Sequence, residues 1–236
     1  MITLREILDN LTYGELAHVA IGNAALGTII DKDYPRVVSC LNGALTAVHK
    51  RFLLRTGEVS LQQETGRSTY YLRTEHTVSA GSPLLTKYVI DSVDDPFVGN
   101  IFKIEKVFAS DGSELIINDS LQEYPIYTPN FDTLVMEFLL PDLVKVTYRA
   151  DHPRIKVVTG FDPELVQLHI PTSILDAISL NVAARIYSPL TAGDGERSAA
   201  SAFNYAYELE CKRLENEGMS LDVDSADNRF EDRGWV

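Results

Sequence analysis

The imidazoles and thiols able to hold a metal or act as a nucleophile are few, and their spacing is poor for either task. His18, His49, His76, His152 and His169 include no pair four residues apart, the spacing that sets two imidazoles on one helix face. None neighbours a cysteine. Cys40 and Cys211 are too few for a disulfide framework or a four-thiolate zinc site. Both are expected to be reduced thiols, buried or half-buried. Asp222-x-Asp224 opens like a calcium loop, but Ala226 and Asp227 stand where the next ligand and the glycine belong. Gly193-Asp194-Gly195-Glu196 precedes a helix without a P-loop frame, and its two acids would repel phosphate. Asp94-Asp95 runs into Pro96 and reads as a turn. No Gly-x-Ser-x-Gly elbow is present. The chain is therefore expected not to be an enzyme, and to use no cofactor and no metal.

What remains is chemistry for holding a partner. Trp235, the one tryptophan, stands next to the last residue in a polar stretch, where a core tryptophan is out of place. With Arg229, Phe230 and Arg233 it forms a set rich in the residue types that anchor interfaces. These four are the candidate docking residues. Tyr124, Tyr127 and Tyr148, near Pro125 and Pro129, offer either a contact surface or ordinary sheet and loop packing.

Charge narrows the partner class. Lys and Arg number 21 against 34 Asp and Glu, a formal net charge of −13. Such a surface repels phosphate, which argues against nonspecific nucleic-acid binding and against anionic membranes. A wall that DNA merely slides past tolerates that sign. The opening MITLREILDNLTYGEL lacks the apolar core of a signal peptide, and no run of 18 apolar residues exists. The expected setting is the cytoplasm.

The elements that must carry these residues follow from periodicity. Thr3 and Glu6 have capping-box spacing for a first helix, and a second short one is expected over residues 12–23. A long helix should start at Asp33-Tyr34-Pro35, with Asp33 as cap, and stop at Gly57. Its stripe is Val37, Leu41, Leu45, Val48 and Phe52. The period then falls to two. Strands are expected near residues 58–62, 68–73, 84–90 and 101–108, with a hairpin at Asp111-Gly112. Residues 133–140 and 143–149 should form a further pair. A helix with the face Ile174, Ile178, Val182, Ala183 and Ile186 should end at Ser188-Pro189, and a last one should run over 198–217. The expected fold is α+β. Residues 1–57 and 168–218 would pack as a helical bundle, 58–167 would be an inserted antiparallel β domain, and 219–236 an extended C-terminal docking tail.

This order resembles the head-to-tail adaptors, or connectors, of tailed bacteriophages, of the tail tubular protein A type. The resemblance lies in the helix from Tyr34-Pro35-Arg36 to Lys50-Arg51-Phe52, in the β insertion, and in the helix pair entered through His169-Ile170-Pro171. That pair reads Ala177-Ile-Ser-Leu-Asn-Val-Ala-Ala-Arg-Ile-Tyr187 and then Phe203 to Leu214. It implies a non-enzymatic virion protein of the neck, assembled in the host cytoplasm. A ring, commonly of twelve copies, would sit under the portal protein, extend the DNA channel without specific DNA binding, and give a platform to a tail nozzle or tail-tube protein. The second reading is a virion attachment module that anchors a tail fibre or spike.

Overall fold

A computed structural model describes residues 2–18, 29–79, 86–91, 96–140, 142–190 and 197–219. The fold is α+β, and its named strands all pair antiparallel. In chain order the elements are β1 (Ile2–Thr3), α1 (Leu4–Tyr13), α2 (Tyr34–Arg51), β2 (Thr56–Leu61), β3 (Thr69–Tyr71) and β4 (Val89–Ile90). There follow β5 (Ile101–Phe108), β6 (Glu114–Leu115), β7 (Ile126–Asn130), β8 (Thr133–Met136) and β9 (Val144–Ala150). The chain closes with β10 (Gln167–Leu168), α3 (Leu175–Leu190) and α4 (Arg197–Asn216). It divides into two compact units, one from the described residues up to Leu54 and from Pro153 onward, the other from Arg55–His152.

The helical unit is built by stripes that face inward. Thr3 caps α1: its hydroxyl accepts the Glu6 N–H, and the Glu6 carboxylate accepts the Thr3 N–H at 2.9 Å. In α2 the stripe Val37, Leu41, Leu45 and Val48 is buried, and so is Phe52 just past its end. In the third helix region Ile174, Ile178, Val182, Ala183 and Ile186 are buried as well. α3 packs on α4 and α2, and α1 rests on α3. β1 and β10 pair beside them.

The β unit has its own core. One sheet has the order β4-β2-β9-β5-β6, the other β3-β8-β7. Val59, Leu61, Ile104, Val107, Leu134, Val144 and Val146 lie in a single buried cluster that includes no residue of the helical unit. The Asp111-Gly112 hairpin joins β5 to β6, with Gly112 at φ 85°.

Several expectations are corrected. α2 does not run to Gly57. It ends at Arg51, and Phe52 leaves it extended. Gly57 lies inside β2 opposite Tyr148, and a Cβ there would stand 2.4 Å from the tyrosine ring. Asp33 does not cap α2, because a tight turn over Asp31–Asp33 already holds it in helical geometry. Capping needs an extended residue there. α1 carries through Tyr13 where a new helix was expected at Thr12, and Gly14 closes it; residues 19–23 of that expected helix lie outside the described residues. β8 and β9 are not partners. β8 pairs with β3 and β7, while β9 lies between β2 and β5. The Gln63 amide holds the segment after β8, donating to Phe138 O at 2.9 Å and accepting from Leu140 N at 2.6 Å. α3 passes Ser188-Pro189 to reach Leu190. The chain rejoins the helical unit at Pro153, earlier than the β boundary at 167 read from the sequence. The reason is Asn42 of α2: its amide donates to Ile155 O at 2.9 Å and accepts from Ile155 N at 3.0 Å.

Candidate functional site

Both cysteines and the imidazoles of His49, His76 and His152 are placed within the packing. Cys211 is fully buried, and desolvation pushes its thiol above the usual range. Cys40 is half-buried and also raised by desolvation, although the guanidinium groups of Arg36 and Arg185 pull the other way. Both cysteines are free. His49 is buried, with Nδ1 2.8 Å from Leu45 O, one turn back on its own helix. His152 is buried next to Asp151, while His18 and His169 are exposed. Among the described residues no group of three or more His, Cys, Asp or Glu could hold a metal ion. Also among them, no helix is long and apolar enough to cross a membrane.

The surfaces are more telling. On the β unit, cations and rings stack in series. The Arg67 guanidinium stands 4.8 Å from the centre of the Tyr88 ring. The Tyr88 ring stacks on His76 at 4.7 Å, and His76 lies 6.5 Å from Tyr71 at an interplanar angle of 25°. The Arg73 guanidinium then covers Tyr71 at 4.9 Å. The series is locked from inside. Tyr88 is fully buried, and its hydroxyl accepts from Tyr71 N at 3.0 Å and donates to Tyr71 O at 3.2 Å. Arg73 Nε is held by Asp132 at 2.8 Å. Beside Asp132, at the β7–β8 turn, Phe131 is 58% exposed. Arginine and aromatic side chains fixed in this way lose little freedom on meeting a partner, which suits them as contact anchors.

The helical unit carries a different surface. Tyr205 and Leu209 lie four apart on α4 and are 68% and 49% exposed. A hollow of about 570 Å³ between α3 and α4 is lined by Asn181, Arg185, Ser188, Ser201 and Asn204. Arg185 Nε donates to Asn181 Oδ1 at 2.7 Å there. Gly43 of α2 leaves room for that guanidinium, since a Cβ would sit 2.7 Å from its nitrogen. These groups can hydrogen-bond a partner, and they include no nucleophile with an adjacent base.

Of the three tyrosines singled out by sequence, Tyr148 is a core residue, edge-on to Phe97 at 5.7 Å. Tyr127 is half-buried in β7. Tyr124 is 45% exposed and leans on Phe138 at 4.9 Å. The candidate docking residues Arg229, Phe230, Arg233 and Trp235 lie outside the described residues, as do Gly193 to Glu196, Asp94-Asp95 and Asp222 to Asp227. The Arg67–Tyr88–His76–Tyr71–Arg73 series was not legible in the sequence because its members are spread from residue 67 to residue 88, most of them outside helices and strands. The one available signal was the density of Tyr and Arg between residues 67 and 73. A scan against protein-family models and a search of curated proteins both find no match.

Proposed function

We propose that this chain is a structural virion protein of a tailed phage, a head-to-tail adaptor that forms a ring under the portal. The observation that carries this reading is the division of the chain. Its N-terminal helices and its returning C-terminal segment make one unit, and residues Arg55–His152 are inserted as a second with a separate core. A ring subunit needs faces for its neighbours, for the portal above and for the tail below, and two units supply them. In this reading the helices pack as a bundle and residues 219–236 are an extended docking tail. Arg229, Phe230, Arg233 and Trp235 anchor it in the portal. The channel wall keeps the chain's negative sign, so DNA passes without being held. The test is electron microscopy of the purified chain with and without a candidate portal. Rings, or an added collar on the portal, support the adaptor. Removing residues 219–236 should abolish the collar while the far-ultraviolet spectrum keeps its shape. Trp235→Ala should weaken docking by about 2 kcal/mol or more, roughly thirtyfold, measured by titration against the portal.

The locked aromatic series and exposed Phe131 favour one alternative, an attachment module for a tail fibre or spike. There, Tyr71→Ala and Phe131→Ala would release the fibre, and loss of the tail would leave portal binding unchanged.

A further inference from the structure

Where the chain returns to the helical unit, residues 154–158 belong to no named strand, yet Ile155 is held in an extended conformation. Asn42 holds both the N–H and the C=O of Ile155, which requires that the two groups point to the same side, as they do in an extended residue. Burial alternates along the same stretch. Ile155 and Val157 pack against the helical core, while Arg154, Lys156 and Val158 are exposed, Val158 at 65%. In an extended segment the N–H and C=O groups of Arg154 and Lys156 face away from Asn42. Among the described residues these groups make no hydrogen bond, and the two cationic side chains make no ion pair. An open edge of this kind is a template for another strand, and its positive charges decide which strand is accepted.

The complementary pattern is in the chain itself. Leu221-Asp222-Val223-Asp224 alternates apolar and acidic residues with period two, matching apolar Ile155 and Val157 and cationic Arg154 and Lys156. We infer that the edge at residues 154–158 receives the Leu221–Asp224 segment of a second copy of this chain, by strand addition. The inference rests on the adaptor reading, because in a ring each subunit has a neighbour to give to and another to receive from. It divides the tail into a part that clasps the neighbouring copy and the part from Arg229 onward that meets the portal. In a molecule with a net charge of −13, cross-strand pairs of opposite sign also give copies a reason to approach that their overall charge denies them.

The test uses the full chain. Arg154→Glu with Lys156→Glu should weaken self-association at least tenfold in sedimentation equilibrium, and Asp222→Lys with Asp224→Lys should do the same. Joining the four changes should restore it. Self-association that ignores both reversals overturns the inference. For position, Lys156→Cys in one chain is mixed with Asp222→Cys or Asp224→Cys in another, both carrying Cys40→Ser. A disulfide-linked dimer is expected. A chain with both cysteines that closes on itself as a monomer overturns the inference, because the edge then takes its own tail. So does a reversal that spares self-association but abolishes portal binding, which assigns the edge to the portal. Microscopy of the same variants separates the two claims. Crosslinked copies that never form a ring keep the strand pairing and overturn the adaptor, whereas rings indifferent to the reversals keep the adaptor and overturn the pairing.

Discussion

At the scale of single residues, the β unit turns on a hydrogen atom. Gly57 sits inside β2 where most residues would strengthen a strand, because the Tyr148 ring occupies the place of its side chain. Gly57→Ala should therefore cost about 1–3 kcal/mol by overpacking, despite alanine's smaller backbone entropy. In a Tyr148→Leu background the same change should be nearly neutral. Denaturant unfolding of the four variants makes the cycle, and an additive result would show that the ring is not what excludes the methyl group. A second residue-level effect concerns alkali. Burial raises the Tyr207 hydroxyl well above the usual tyrosine range, and its neighbour Cys211 is raised with it. A raised group favours the fold while neutral. The contribution of the thiol is whole below about pH 9 and that of the tyrosine below about pH 10, the unfolded values, and each is lost as pH climbs toward the folded one. Melting temperature should thus begin to fall above about pH 9 and fall further above about pH 10, and Tyr207→Phe should make the second part of that fall shallower.

At the scale of elements, Arg51 in the last turn of α2 forks onto α4, with Nε 2.7 Å from Glu215 and Nη1 2.6 Å from Glu208. Desolvation opposes the charge, but the two carboxylates outweigh it and raise the guanidinium further. All three side chains keep some solvent contact, so Arg51→Met should cost only about 1 kcal/mol, and less in molar salt. A salt-independent loss would show that packing of the arginine stem matters more than its charge. The helices that make this contact were readable in the sequence, since a stripe such as Val37, Leu41, Leu45 and Val48 needs no distant information. Their ends were less so. Asp33 looks like a cap, but the preceding turn decides its backbone. Strand partners were illegible for the same reason. Alternation shows that residues 133–136 and 144–150 are strands, yet it carries nothing about which edge each will meet. The pairing is set by Gln63 and by the central place of β9, both long-range facts. Of the candidate site, the candidate docking residues were named from composition alone, and the stacked series of Arg67 to Arg73 emerged only once the fold brought Tyr88 and His76 together.

At the scale of the whole molecule, the two hydrophobic clusters formed by the described residues share no residue. Each unit is made of elements that contact mainly one another. The chain should then unfold in two steps. Leu41→Ala, at a fully buried position of α2, should lower one calorimetric transition by the equivalent of about 2–5 kcal/mol and leave the other in place. Leu134→Ala in β8, also fully buried, should do the converse. Hydrogen exchange read separately over residues 34–51 and 133–150 would assign each transition to its unit. If both substitutions shift one common transition, the units are thermodynamically one body. If they shift separately, each unit stands on its own core and a substitution in one leaves the other's stability unchanged.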